Sequence, residues 1–126
     1  MKRKLLFLSV LLCSLGCWAE STYPETMYMI GDATDAEWSL GVQAMTTLDE
    51  GIYRWEGTLK NGELKFAKDD ADYGVPADFW GPATADDPLA DGKAIENLLT
   101  EDKKFNVTAG TYTLMLDLKK QCVASR

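Results

Sequence analysis

Apolar and polar residues alternate with a period of two along much of the chain, the spacing of strands that bury one face. From Ile52 to Leu59 the residues Tyr53, Trp55, Gly57 and Leu59 fall on one side, and Arg54, Glu56 and Thr58 on the other. The same alternation returns at Lys104 to Val107 and at Thr111 to Leu118, placing Phe105, Val107, Tyr112, Leu114 and Leu116 inside, with Ala109-Gly110 as the turn between the two runs. Met27-Tyr28-Met29-Ile30 reads as a short apolar strand stopped by Gly31-Asp32. Asn61-Gly62 tolerates positive φ at both residues and predicts a tight hairpin into a strand from Glu63 to Lys68, with Leu64 and Phe66 inward and Lys65 outward. Gln121 to Ala124 reads as an edge strand, and Pro88 to Thr100 carries a weak helical pattern interrupted by Asp91-Gly92.

Short strands joined by Gly and Asp turns predict an all-β fold, an immunoglobulin-like antiparallel β-sandwich. The stretch from Asp69 to Asp91 has no periodicity and carries Gly74, Pro76, Gly81, Pro82 and Pro88. It reads as a long connection, and connections of that length in a compact domain tend to be functional or disordered.

The N-terminus has a different pattern. Lys2-Arg3-Lys4 precedes an apolar run from Leu5 to Leu12, too short to cross a bilayer and matching an export signal. Cys17-Trp18-Ala19 suits ordinary cleavage before Glu20, while Ser14-Leu15-Gly16-Cys17 approximates a lipobox. Both readings stay open, and both send the protein out of the cytoplasm, to the outer membrane, the cell surface or the periplasm. The expected organisation is a signal peptide at 1–19, a short leader at 20–26 and one domain at 27–126.

Charge narrows the partners. The net charge is −7, and loss of the leader cations Lys2, Arg3 and Lys4 makes it −10. Nucleic acid is excluded as an expected partner because phosphate neutralisation needs clustered cations. Membrane contact is expected only through lipidation at Cys17. In a chain cleaved after Ala19 Cys122 is the sole cysteine, so no internal disulfide is possible.

Chemistry-bearing residues point to binding. The chain has no His, no Gly-x-Ser-x-Gly turn and no Cys paired with a base. Asp69, Asp70 and Asp72 lack the Gly and the closing Glu of a calcium loop, so they read as a solvated acidic loop. No enzyme, metal or cofactor is expected. Trp38 and Trp80 lie outside the strand pattern on either side of the lysine-bearing strand. Flat aromatic rings suit the C–H face of a pyranose, and the ammonium groups of Lys65 and Lys68 and the amide of Asn97 suit its hydroxyl rim. Each has a plainer role: a loop tryptophan caps a core, a strand lysine protects an edge, and Trp55 faces the core.

Taken in order, Tyr28-Met29-Ile30-Gly31-Asp32-Ala33-Thr34 with Trp38, Gly51-Ile52-Tyr53-Arg54-Trp55-Glu56-Gly57, Gly62-Glu63-Leu64-Lys65-Phe66, Phe105-Asn106-Val107, and Gly110-Thr111-Tyr112-Thr113-Leu114 with Leu116-Asp117-Leu118 resemble a single C-terminal domain of the SusE/SusF-type outer-membrane starch-binding lipoproteins. The resemblance implies an immunoglobulin-like domain that binds starch-like α-glucan oligosaccharides without hydrolysing them, in company with components of a glycan-uptake complex. Trp38 resembles the family's binding tryptophan in position. The other reading of the chain is a structural or protein-interaction domain with no sugar site.

Overall fold

The computed structural model describes residues 23–126. The expected signal peptide, the expected cleavage site and Cys17 lie outside the described residues. The described chain forms β1 (Met27–Ile30), β2 (Gln43–Ala44), β3 (Thr46–Asp49), β4 (Ile52–Leu59), β5 (Gly62–Lys68), β6 (Phe79–Pro82), β7 (Lys93–Asn97), β8 (Phe105–Val107), β9 (Gly110–Asp117) and β10 (Cys122–Ser125). A single 3-10 turn, Pro76–Asp78, interrupts this all-β architecture.

The strands pair antiparallel in the order β2-β1-β5-β6-β7-β10-β9-β4-β3, with β8 beside the start of β5. This path folds into two packed layers that share strands at both margins. At one margin β7 gives Lys93 and Ala94 to β10, then Ile95, Glu96 and Asn97 to β6. At the other, β2 pairs with β1 and β3 with β4, with only Met45 between them. Met45 is buried, and its N–H donates to the Met27 carbonyl at 2.8 Å, which bends the segment around the corner. The two chain segments that turn these corners leave little unpaired sheet edge, a recurrent defence against edge-to-edge aggregation.

The core lies between the layers. Met27, Met29, Leu64 and Phe66 from one sheet meet Tyr53, Leu59, Leu114, Leu116 and Val123 from the other. Phe66 and Phe105 pack edge to face, with centroids 6.5 Å apart. Burying each such side chain contributes about 1.5–3 kcal/mol. The inward set expected on β4, β5, β8 and β9 is observed, with Trp55 and Tyr112 only partly buried against the core.

Several connections depart from the sequence expectation. Asn61-Gly62 does not close a hairpin: β4 pairs with β3 and β9, and β5 with β1, β6 and β8. Gly62 does adopt a positive φ of 156°, which favours glycine, and a Cβ there would also come to 2.5 Å from Asp32 Oδ1. Ala109-Gly110 likewise carries the chain from one sheet to the other. The two crossovers lie side by side, with the Ala109 N–H donating to Asn61 Oδ1 at 2.8 Å. The expected edge strand near 121–124 is β10, an interior strand flanked by β7 and β9. The weak helical pattern in 88–100 belongs to β7 and its flanks. Its Leu89, Ile95 and Leu98 are buried, but in separate clusters, Leu98 away from the other two, so their spacing mimics a helical face. The expected long loop at 69–91 contains β6, whose Phe79, Gly81 and Pro82 are all buried; with both faces covered, no alternation marks it.

Candidate functional site

One sheet has a second buried face. On β5, Leu64 and Phe66 point into the sandwich, so Lys65 and Ala67 point out. Ile30 stands opposite Lys65, and Phe79 opposite Ala67, which puts all four on the outer face. Ile30, Ala67, Phe79 and Leu98 form a small separate core there, with Trp38, Leu40 and Ala71 packed over it. Lys65 sits within this layer at 5% exposure.

Three loops supply the cover, and each is fixed by hydrogen bonds. The first, from Gly31 to Leu40, is closed by the Gly31 N–H donating to the Glu37 carbonyl at 2.7 Å, which delivers Trp38 directly after the closure. In the second, Asp72 Oδ1 accepts the Gly74 N–H at 2.8 Å and Asp78 Oδ2 accepts the Asp72 N–H at 3.0 Å. These acidic side chains build an Asx-type turn around Tyr73. The third, leading into β8, crosses β6 so closely that a Cβ on Gly81 would approach the Lys103 carbonyl oxygen to 2.5 Å. Lys103 Nζ holds it down by donating to Glu96 Oε1 at 2.6 Å and to the Ala83 carbonyl at 2.9 Å.

The loops converge on a circuit of charge and aromatic rings. Lys65 Nζ donates to Asp102 Oδ1 at 2.7 Å and lies 4.4 Å from the centre of the Phe79 ring and 5.9 Å from that of Tyr73. Lys104 Nζ donates to the other carboxylate oxygen, Asp102 Oδ2, at 2.8 Å and lies 5.7 Å from the Trp38 ring. The Tyr73 hydroxyl donates to the Trp38 carbonyl, which closes the circuit. Tyr73 stacks on Phe79 with centroids 5.5 Å apart and planes 16° off parallel, yet is itself 49% exposed. One ring face is therefore backed by the protein, and the remaining surface meets solvent. Between Lys65, Tyr73, Pro76, Phe79 and Asp102 lies a cavity of about 110 Å³.

Burial pushes the Asp102 carboxyl up, but hydrogen bonds from Lys104 and Lys65, with their charges, outweigh it and hold the group below the usual carboxylate range. Burial also pushes the Tyr73 hydroxyl up, and the Asp102 charge adds to the effect. The site thus presents the amines of Lys65 and Lys104 beside a carboxylate and a protonated phenol. All are hydrogen-bonding groups.

The residues expected from sequence separate into two places. Trp38 and Lys65 belong to the circuit. Lys65 is outward as expected, but the loops bury it, so it is not a solvated strand lysine. Trp80 stands opposite Phe66 and packs against the main core, on the other side of the sheet from Lys65. The two tryptophans therefore do not form one platform. Lys68 shares the Phe66 side of β5; its Nζ donates to the Asp69 carbonyl at 3.2 Å and lies 3.9 Å from Asp78 Oδ1. Both donor hydrogens of the Asn97 amide are engaged, reaching the Ala77 and Phe79 carbonyls at 2.7 and 2.9 Å, so this side chain fastens the turn before β6.

Tyr73, Asp102 and Lys104 were not legible as site residues. An isolated tyrosine in an acidic stretch without periodicity was the available signal for Tyr73. Nothing local marks Asp102, because its role arises from a contact with Lys65, 37 residues away.

Among the described residues no group of three or more metal-ligating side chains is assembled, and no helix is long and apolar enough to cross a membrane. No protein-family model matches the chain, and no curated protein or solved structure is significantly similar to it.

Proposed function

We propose that this chain is a non-catalytic carbohydrate-binding module of the bacterial cell envelope, related to the SusE/SusF-type proteins it resembles and binding starch-like α-glucan oligosaccharides. The observation that carries the reading is Tyr73: a half-exposed ring backed by Phe79, beside the Lys65–Asp102–Lys104 ladder, in which Lys65 is buried and Asp102 reaches solvent. A pyranose stacked on that ring would direct its hydroxyls toward donors and an acceptor whose positions are already fixed. Preorganised polar groups lose little conformational entropy on binding. The α-glucan preference comes from the resemblance, as does the expectation of partners in a glycan-uptake complex. Export to the envelope rests on the leader and is tested by mass spectrometry: a mature N-terminus at Glu20, or a lipid-modified Cys17, supports it, and an intact Met1 contradicts it.

The binding test is calorimetry with maltoheptaose on the exported protein, Tyr73→Ala and Trp38→Ala, with circular dichroism as the folding control. Loss of a stacking ring removes about 1–3 kcal/mol, roughly a five- to 150-fold drop in affinity. Wild-type binding that neither variant weakens contradicts the placement of the site. A wild type that binds no glycan favours the second reading, a structural or protein-interaction domain. That reading is motivated by Lys65, whose burial and ion pair also suit a purely structural tie.

A further inference from the structure

The cavity beside Tyr73 is too small to be a complete ligand site. Pockets that enclose a small organic ligand usually measure about 300–1,000 Å³, and this one is about 110 Å³. It does not end blindly. Leu98 and Glu101 line it and also line a groove of about 330 Å³. Glu96, Asn97 and Gln121 line that groove and also a third hollow of about 300 Å³, with Trp80 and Tyr23 in its wall. The shared residues set the three depressions side by side, in line as a candidate track.

The track follows from the topology. Only Lys93 and Ala94 of β7 pair with β10, so beyond Ile95, whose N–H donates to the Gln121 carbonyl at 2.9 Å, the two layers part. The Glu96–Asn97 margin of β7 then has β6 on one side and the opening on the other. The track passes around this margin from the outer face, where Tyr73 stands, to the mouth of the sandwich, where Trp80 stands. Trp80 is packed against the core on one side and lines the hollow on another. Between the aromatic ends lie an amide at Gln121, a hydroxyl at Thr100 and carboxylates at Glu96 and Glu101, a lining suited to a neutral polyhydroxylated chain.

We infer that the site is an extended track for a linear oligosaccharide, with a proximal subsite on Tyr73 and a distal subsite formed by Trp80 and Gln121. This rests on the carbohydrate-binding reading above and deepens it. Trp80 thereby acts at a different subsite from Trp38.

The test compares maltotriose with maltoheptaose by calorimetry on the wild type, Tyr73→Ala, Gln121→Gly and Trp80→Phe. Gln121 has a φ of 57°, so glycine removes its side chain without backbone strain, and phenylalanine keeps most of the Trp80 packing. A longer chain offers more binding registers, so a preference for length alone does not decide the matter. The expected result is that Gln121→Gly and Trp80→Phe each weaken maltoheptaose about five-fold or more and leave maltotriose within two-fold, while Tyr73→Ala weakens both. Maltoheptaose binding unchanged in both distal variants, with Tyr73→Ala still defective, overturns the track and leaves the proximal site standing. Binding of neither oligosaccharide to the wild type removes both.

Discussion

The two sheets present opposite kinds of outer face. On the β3-β4-β9-β10 side, Glu56, Thr58 and Thr111 are exposed, Arg54 and Thr113 are partly so, and β3 is exposed along its whole length. On the β1-β5-β6 side, Ile30, Lys65, Ala67 and Phe79 are buried beneath loops. A sheet face open to water needs only polar residues in alternation. A face roofed by loops needs its own apolar packing and a partner for every buried charge. The second face is where aromatic rings and charged groups are held at fixed distances, and for that reason it is where we propose recognition.

The contrast predicts unequal sensitivity to mutation. Phe79→Ala removes the ring that backs Tyr73 and lies under Lys65, and should cost about 3–5 kcal/mol of folding stability; Thr113→Ala on the open face should stay within about 0.5 kcal/mol. Urea denaturation of the two variants measures this. Similar losses from both would break the distinction between the faces.

The ion pair sharpens it. Lys65 is buried while the Asp102 side chain is 59% exposed, so the two members are not equivalent. Asp102→Ala strands the Lys65 ammonium in the packed layer and should destabilise by about 1–3 kcal/mol, whereas Lys65→Met keeps the stem's packing, removes the buried charge, and should cost less. Thermal denaturation that ranks them the other way would assign Lys65 to solvent.

A smaller effect is expected from pH. The carboxyl of Asp102 has a folded pKa below its unfolded value, so its contribution to stability is present above the unfolded pKa of about 4 and fades as pH falls through the lower folded value. Acid titration of the wild type and Asp102→Asn should show the wild type losing its advantage below about pH 4. Tyr53 gives the alkaline counterpart: burial, then the charges of Asp69 and Tyr23, push its hydroxyl up to about 12. Stability is complete below the unfolded pKa of about 10 and falls as pH rises from there toward 12. Tyr53→Phe should lose that part of the alkaline dependence.

The same contrast explains what the sequence reveals. The strands β4 and β9, with one solvated face, were legible residue by residue through their alternation. The strand β6 was hidden because Phe79, Gly81 and Pro82 are buried on both faces, and β2 was hidden because two residues carry no period. Only half of the hairpin signal at Asn61-Gly62 was a true backbone signal: Gly62 takes a positive φ, Asn61 does not, and pairing is decided by which sheet the next strand joins. At the site, Trp38 and Lys65 stood out through residue type and position, whereas Asp102 and Lys104 gain meaning only when three loops meet.

The most direct test of binding on the roofed face is the response of the tryptophan indole N–H resonances to maltoheptaose, with Trp38, Trp55 and Trp80 assigned by single substitution. Trp38 carries the Tyr73 hydrogen bond and lies beside Lys104, and its resonance should shift saturably. Trp55, on the opposite sheet, should not move. A saturable shift of Trp55 with Trp38 still would contradict the account and place binding on the other sheet.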